Sequence, residues 1–392
     1  MNLLHNFGKS KQSGKFRMQC PHLPEIDYGV YMKHLYQQML RRRLPMAAFL
    51  ELTERCNLNC VHCYINQPPG DREVQSRELT TSQWQDLLDE MAEAGVLGLV
   101  ITGGEALIRP DFREIYAHAR KRGMIISLFT NGTLITPEVA DFLREVTPSM
   151  IEITVYGRTQ STYEAVTRAP GSYQKCLRGI DLLMARRIPL TLKTMVMTLN
   201  AHELWDLKTW AESLGVRFLY DAVLNARLDG GKQPWSFRLA PEQVVEFDRK
   251  DQKRYQEWME FANKYIGPEK FEYLYTCSAG LSSFAVDAYG RMFPCLTSRG
   301  SAYDLMQGSF TEGWRDFMPA LRTQKPRKEY YCIHCELHSL CNQCPGWSQL
   351  EHGEPDIPVE YICQVAHLRA QLLGIETKTV KSDLQVRLAS GG

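Results

Sequence analysis

Ten of the twelve cysteines in this chain fall into two groups whose spacing suits metal chemistry. The first group is the segment Cys56-Asn-Leu-Asn-Cys60-Val-His-Cys63-Tyr64, in which three thiols lie within eight residues. The second group extends over the C-terminal third of the chain and comprises Cys277, Cys295, Cys332, Cys335, Cys341, Cys344 and Cys363. Thiolate is a soft ligand that suits zinc and iron–sulfur clusters, so both groups predict metal sites. The two cysteines that stand alone, Cys20 and Cys176, are interpreted as ordinary buried or surface thiols.

The first group favours an iron–sulfur cluster over zinc. Three cysteine ligands suit a [4Fe–4S] cube with one iron left open for another molecule. A structural zinc site needs four ligands in a tetrahedron. His62 is the available fourth ligand, but it lies between two of the cysteines, where the backbone makes simultaneous coordination awkward. Zinc therefore stays as the alternative interpretation.

The elements that must position this loop form a regular alternation. Six apolar runs predict strands at residues 47–52, 96–101, 124–129, 151–155, 190–197 and 216–220, and amphipathic helices are predicted between them. Strands that alternate with helices indicate a parallel sheet with right-handed crossovers. Folds of this kind place their chemistry at the carboxyl ends of the strands, and the cysteine loop directly follows the first one.

The spacing C-x3-C-x2-C-aromatic after a first strand resembles the radical S-adenosylmethionine (SAM) superfamily, and the resemblance covers residues 46–225. It implies an α/β partial (β/α)6 TIM-like barrel in which Cys56, Cys60 and Cys63 hold a [4Fe–4S] cluster. On that cluster SAM is split into methionine and a 5′-deoxyadenosyl radical. Further positions that match the family would contact the nucleotide, and they are Tyr64, Gly103, Gly104, Glu105, Thr130, Asn131, Thr154, Arg168 and Val196.

Simpler explanations exist for several of these positions. A carboxylate such as Glu105 can bind an ammonium group through a charge-assisted hydrogen bond, and the resemblance places it against the amino group of the methionine part. The segment at Thr130 and Asn131 can equally be a plain turn. Arg168 can be a charge on a helix surface, and Val196 can serve core packing.

The spacing of the second group, from Cys332, is C-x2-C-x5-C-x2-C. Paired C-x2-C motifs are typical of zinc ribbons, but ribbon pairs are normally a dozen or more residues apart. The pattern resembles the SPASM extension of radical enzymes that modify peptides and proteins, a small cysteine-rich α+β domain with two auxiliary [4Fe–4S] clusters. The resemblance implies an inner cluster on Cys277, Cys295 and Cys344. It implies an outer cluster on Cys332, Cys335, Cys341 and Cys363, which makes three clusters in all.

Two departures from that pattern concern the inner cluster. The pair Cys341 and Cys344 is spaced C-x2-C where sulfatase-maturing relatives have C-x3-C, and no cysteine lies a few residues before Cys277. The inner cluster is therefore expected to have an open iron, or to take a histidine or a substrate thiolate as its fourth ligand. Those relatives also have an acidic residue directly after the position of Cys295, where this chain has Leu296, which argues against a sulfatase-maturing function.

Composition sets limits on partners and location. The chain has 46 basic and 45 acidic side chains, so no excess charge favours nucleic acid or an anionic membrane as a partner. The sequence contains no apolar run of the roughly 20 residues that span a bilayer, and its N-terminus does not resemble a signal peptide. A cytoplasmic location is expected, where disulfides are rare.

These features predict the following organisation and function. The expected domains are an N-terminal tail and helix (1–45), the radical SAM core (46–225), a linking loop and bridging helix (226–270), the SPASM domain (271–375) and a tail (376–392). The expected activity is hydrogen abstraction from a ribosomally made peptide, with a separate small peptide-carrier protein and an electron donor such as flavodoxin or ferredoxin. The alternative is radical chemistry on a small molecule, such as heme-type modification of tetrapyrrole side chains.

Overall fold

The computed structural model describes residues 27–266, 271–327 and 330–376. Within these ranges, nine strands form one sheet in the order β6-β5-β4-β3-β2-β1-β7-β8-β9. The strands are β1 (Ala47–Glu51), β2 (Gly98–Thr102), β3 (Ile125–Thr130), β4 (Met150–Thr154), β5 (Leu190–Met195), β6 (Arg217–Asp221), β7 (Ser283–Val286), β8 (Arg291–Phe293) and β9 (Tyr303–Asp304). Strands β1 to β7 pair in parallel, and β8 and β9 add an antiparallel edge. The predicted α/β class is confirmed, and in the described part the sheet is open rather than closed into a barrel.

Helices connect the parallel strands and also build the C-terminal region. The helices are α1 (Tyr28–Arg42), α2 (Arg72–Arg77), α3 (Thr81–Glu93), α4 (Phe112–Lys121), α5 (Pro137–Glu145), α6 (Gln160–Thr167), α7 (Ser172–Ala185), α8 (Leu204–Ser213), α9 (Pro241–Lys250), α10 (Gln252–Tyr265), α11 (Phe310–Glu312), α12 (Met318–Arg322), α13 (Pro345–His352) and α14 (Glu360–Leu372). None of the described helices combines the length and apolar composition that crossing a bilayer requires.

Helix α3 shows why the sequence forms these elements. Thr80 and Gln83 make a capping box, in which each side chain accepts a hydrogen bond from the other residue's backbone N–H. The helix buries an apolar stripe at helical spacing, consisting of Trp84, Leu87, Leu88 and Met91. Gly95 has a φ of +95°, a conformation that glycine adopts without a Cβ penalty, and it ends the helical segment.

Strands β3 to β5 bury one face more completely than the other. In β4, Ile151 and Ile153 are fully buried, whereas Glu152 and Thr154 are only half-buried. Side chains alternate between the two faces of a strand, so the buried set packs against the helices. The half-buried set defines an open face, which we describe by Phe129, Glu152, Thr154, Lys193 and Met195.

The structure differs from the sequence-based expectation in the C-terminal half. The single helix predicted over residues 241–265 is wrong, because the chain turns at Asp251, whose side chain accepts a hydrogen bond from the N–H of Arg254 and begins a second helix. The strands expected at Ser283–Val286 and Arg291–Phe293 are confirmed, but β7 pairs directly with β1. The cysteine-rich region therefore extends the same sheet.

The N-terminal helix α1 belongs to a compact unit of its own, which ends at Arg42. The remainder of the described chain, from Arg43, forms the second unit. The functional boundaries proposed at residues 225, 270 and 375 stay predictions.

Candidate active site

The first cysteine loop, residues 56–63, lies at the carboxyl end of β1. Its backbone is held by α6: the N–H of Asn59 donates to the carbonyl of Thr167 (2.9 Å), and that of Val61 donates to Val166 (3.0 Å). The bounds of α6 were not predicted from the sequence, although Arg168 at its end was considered as a charge on a helix surface. The loop is thus fixed by hydrogen bonds to the helix that follows β4 as well as by its own strand.

The three thiols of this loop are close enough to affect one another. Burial and, after it, the neighbouring carboxylate of Glu105 raise the pKa of Cys56 to about 12. Burial, then Cys63 and Cys56, raise the pKa of Cys60 well above its usual range. Without a cation these thiols stay protonated, and a metal that binds them must displace their protons.

His62 lies between two of these thiols and tests whether an iron–sulfur cluster fits. Its ring packs edge-on against Tyr156 at 5.1 Å, and its Nδ1 is buried without a hydrogen-bond partner among the described residues. Burial lowers the pKa of His62 to about 4, so the ring is neutral near pH 7. A buried polar atom without a partner beside three soft ligands fits a cluster, whose sulfur atoms accept hydrogen bonds. Among the described residues, no group of three or more Cys, His, Asp or Glu side chains is arranged so that it could hold a single metal ion.

The Gly103-Gly104-Glu105 turn packs against the backbone that leads into the loop. The N–H of Gly104 donates to the carbonyl of Thr53 (2.8 Å), and that of Glu105 donates to Arg55 (2.9 Å). A Cβ on Gly103 or Gly104 would lie 2.3 or 2.4 Å from the carbonyl oxygens of Thr53 and Arg55. Both glycines were predicted as contacts to the nucleotide. The structure adds that they allow close approach of this backbone.

The carboxylate of Glu105 connects three strand ends. It accepts hydrogen bonds from Thr130 Oγ1 (2.9 Å) and from the N–H of Asn131 (2.8 Å). Asn131 in turn directs its Nδ2 toward Cys56 Sγ (3.7 Å) and Asn57 Oδ1 (2.9 Å). Burial raises the pKa of Glu105. Polar residues that the sequence predicted as nucleotide contacts are therefore brought together with the first thiol.

The remaining predicted contacts occupy different environments. Thr154 is the last residue of β4 and is half-buried on the open face. Arg168 caps α6 with a left-handed φ of +51°, and its side chain is exposed next to the segment that holds the cysteine loop. Val196 is 1% exposed and packs in an apolar cluster with Leu204 and Ala222, in agreement with its alternative role in core packing.

A buried ion pair that the sequence analysis missed lies behind the loop. The hydroxyl of Tyr64 donates to Glu51 Oε1 (3.0 Å), and Arg299 pairs with the same carboxylate. Arg299 also donates to the carbonyl of Leu296, the residue after Cys295. This chain of contacts links the first cysteine loop to the second cysteine group. An acidic residue at the end of a buried strand was the available sequence signal.

Three thiols of the second group form a first set. Burial and, after it, the adjacent Cys295 and Cys277 raise the pKa of Cys344 to about 12. Cys344 also begins α13, where its sulfur accepts the N–H of Trp347 (3.3 Å). Cys277 is the exposed member of the set. The structure places together the three residues that were predicted for the inner cluster.

The other four thiols form a second set around a small apolar pocket. Its lining includes Cys332, Cys335, Cys341 and Cys363, together with His338 and His367. Burial, then neighbouring groups that include Cys335 and Cys363, raise the pKa of Cys332 to about 12. These are the residues that were predicted for the outer cluster, and Cys363 reaches the site from helix α14, which the sequence analysis did not predict.

Gln343 connects the two sets, since it lies between Cys341 and Cys344 in the chain. Its Nε2 donates to Ser348 Oγ (2.6 Å), and its Oε1 accepts the N–H of Val359 (2.9 Å). The lone Cys176 is fully buried in the core, as expected for an ordinary thiol. Cys20 lies outside the described residues.

Comparison with known proteins identifies the part of the chain that contains the first cysteine loop. The family model described as the Radical SAM superfamily matches residues 50–211, which include the cysteine loop. The chain carries a radical SAM domain. The radical SAM resemblance is thereby confirmed, and with it an enzyme that binds SAM and holds the iron–sulfur cluster of this superfamily.

Three similar proteins show which activities occur among the relatives of this radical SAM enzyme. An AdoMet-dependent heme synthase of Methanosarcina barkeri is 28% identical over 332 residues, which cover 79% of this chain and 94% of the relative. A PqqA peptide cyclase of Ruegeria pomeroyi is 34% identical over 184 residues, 46% of this chain and 48% of the relative. The crystal structure of Streptococcus suis SuiB bound to the precursor peptide SuiA is similar with a TM-score of 0.62 and 14% identity, covering 91% of this chain and 84% of SuiB. The last likeness shows the fold alone.

Proposed function

We propose that this radical SAM enzyme modifies a ribosomally made peptide or protein, by abstracting hydrogen and converting the substrate radical to a cross-link, thioether, oxidised residue or epimer. The observation that carries the proposal is the division of the C-terminal thiols into two sets, apart from the first cysteine loop. Two auxiliary [4Fe–4S] clusters there would provide an acceptor for the electron that is released when a substrate radical closes to product. The cyclase relative, whose name specifies a peptide, supports the same class.

The chain's own residues would act mainly by binding and positioning. When bound, SAM and three [4Fe–4S] clusters would supply the radical and the path for electrons. Cys56, Cys60 and Cys63 would hold the first cluster. The turn that ends at Glu105 and the side chain of Asn131 would keep this loop in place from two neighbouring strands.

The contacts to SAM follow from the same arrangement. Residues Tyr64, Gly103, Gly104, Glu105, Thr130, Asn131, Thr154, Arg168 and Val196 are proposed to line its site. Since Oε1 of Glu105 already accepts a hydrogen bond from Thr130 and Oε2 accepts one from Asn131, this carboxylate would attract an ammonium group while staying fixed.

The second candidate function is heme-type modification of a tetrapyrrole side chain. The heme synthase relative favours it, because the similarity extends over 94% of that protein. Under either function, reduction would come from a donor such as flavodoxin or ferredoxin. A separate carrier protein would present the peptide substrate.

The test begins with protein that is purified and reconstituted without oxygen. Three cubes would give roughly twelve irons per chain. With dithionite and SAM, the protein should release 5′-deoxyadenosine. Products are then sought by mass spectrometry, with short peptides encoded beside the gene and with an iron tetrapyrrole that carries carboxylate side chains as alternative substrates. Stoichiometric zinc with little iron would refute the cluster assignment, and a modified porphyrin without a modified peptide would favour the second candidate.

A further inference from the structure

The open face of the sheet carries an ion pair in an unusual position. Lys193 Nζ lies 3.0 Å from Glu152 Oε2 and 3.4 Å from the centroid of the Phe129 ring. The side chains of Lys193 and Glu152 are 20% and 16% exposed. A half-buried ion pair contributes little to stability, because desolvation offsets much of the attraction. Apolar residues of similar volume would stabilise such a position at least as well, so stability does not explain these charges.

The position of the pair relates it to the candidate active site. Phe129 and Glu152 are neighbours in the register of β3 and β4, and Lys193 on β5 is the register neighbour of Thr154. Thr154 ends its strand at the edge where the cysteine loop lies. The ion pair is therefore within one or two residues of the carboxyl ends of three adjacent strands.

The ammonium group of Lys193 has hydrogen-bonding capacity to spare. It has three N–H donors, and within the described ranges Glu152 is the one acceptor that the structure gives it. The ring of Phe129 covers another side of the ammonium. Burial lowers the pKa of Lys193, against the opposing effect of Glu152. Half-buried donors without acceptors point to a ligand or bound water at this place.

We propose that Lys193 is the centre of a carboxylate-binding site on the open face, where a carboxylate of the substrate replaces Glu152 as its partner. The inference rests on the proposed function, since it concerns the substrate of the same site. A peptide supplies such a group through an acidic side chain or its C-terminus, and a tetrapyrrole supplies it through a propionate. While no substrate is bound, Glu152 would remain the ion-pair partner of the Lys193 ammonium group.

The test measures binding and needs no turnover. The ligands are glutarate, which resembles both kinds of carboxylate, and the neutral glutaramide. Each is titrated against the reconstituted full-length enzyme with SAM present, and binding is followed by NMR of the ¹³C-labelled compound. We expect glutarate to bind and glutaramide not to bind. Lys193→Met should weaken glutarate binding about tenfold to a hundredfold, the effect of one charge-assisted hydrogen bond. Glu152→Gln should strengthen it, because the competing anion is removed.

A matched control exists in the helical layer. Lys208 Nζ lies 2.8 Å from Asp251 Oδ2 and 5.7 Å from the ring of Trp205. Lys208 therefore has one acidic and one aromatic partner, as Lys193 has, but it lies away from the open face. Lys208→Met should leave glutarate binding unchanged.

Three results would overturn the proposal. They are no glutarate binding by the unmodified enzyme, equal binding by Lys193→Met, or a loss of SAM affinity in Lys193→Met in place of a loss of glutarate affinity. The last result would assign the ammonium to the carboxylate of SAM itself. If Lys193→Met does not retain iron, the gain expected for Glu152→Gln decides. Absence of any radical product would refute the proposed function and leave this binding result standing.

Discussion

The loop at residues 56–63 and the region between Cys277 and Cys363 both gather thiols, but by different means. In the loop, three cysteines within eight residues are neighbours through the chain itself, and two adjacent strand ends hold them. In the C-terminal region, Cys277 and Cys344 are 67 positions apart and are brought together by packing. The difference indicates that the thiols of the loop are grouped by local sequence. The two C-terminal sets of thiols are grouped only when the whole region is folded.

The largest effect is expected when the first loop loses its ligands. Changing Cys56, Cys60 and Cys63 together to alanine should abolish release of 5′-deoxyadenosine and remove about four irons per chain. The C-terminal iron should remain, because those thiols belong to other segments of the chain. Iron analysis and chromatography of the nucleoside products measure both, with Cys176→Ala as the control. Equal loss of iron from both regions would mean that the two regions are not independent.

The next effect separates radical formation from product formation. Cys344→Ala removes one thiol of the set that also contains Cys277 and Cys295. It should abolish product while 5′-deoxyadenosine is still released, because the first loop is unchanged. Electron paramagnetic resonance with and without substrate reports on the same cluster. If its iron is open, a substrate thiolate should change the spectrum, and full turnover by this variant would show that the cluster is structural.

A third prediction concerns the ion pair that joins the two regions. Arg299→Met leaves the buried carboxylate of Glu51 without its charged partner, which costs about 3–5 kcal/mol of unfolding free energy. The double variant with Glu51→Gln should recover most of that loss, because no unpaired charge stays buried. Denaturant unfolding measures the unfolding free energies of the unmodified protein, the two single variants and the double variant.

The control for these variants is the pair Arg249 and Glu246 on the surface of α9, whose removal should change stability little. If the two substitutions at Glu51 and Arg299 are simply additive, the link between the regions is not electrostatic.

The smallest expected effect tests the support of the first loop. Gly104→Ala would place a Cβ 2.4 Å from the carbonyl oxygen of Arg55, and overpacking of this kind costs about 1–3 kcal/mol. The variant should lose iron from the first loop before iron from the C-terminal region. Gly70→Ala is the matched control, since a Cβ there has no neighbour within 4 Å. A wild-type iron content in Gly104→Ala would show that the turn can shift without cost.

Much of the fold could be predicted from local patterns. The six β/α strands lie within a few residues of their expected positions, because buried parallel strands are continuous apolar runs that any window detects. The bounds of helix α6 and the break at Asp251 were missed. Helix α6 is a short polar segment between two strands, and the break depends on a single side-chain cap inside an otherwise helical pattern.

The sequence by itself determined the chemistry that is available: the ligating cysteines, the Gly-Gly-Glu turn and the alternation of strands and helices are all set by spacing along the chain. The tertiary structure decided which distant groups meet. Cys344 is near Cys277 and Cys295, while its neighbour Cys341 belongs to the other set, and Arg299 reaches Glu51 across 248 positions. Lys193 meets Glu152 only through the register of two strands. Spacing constrains contacts over a few residues, whereas contacts between distant residues depend on how strands and helices pack, and this information is distributed over the whole sequence.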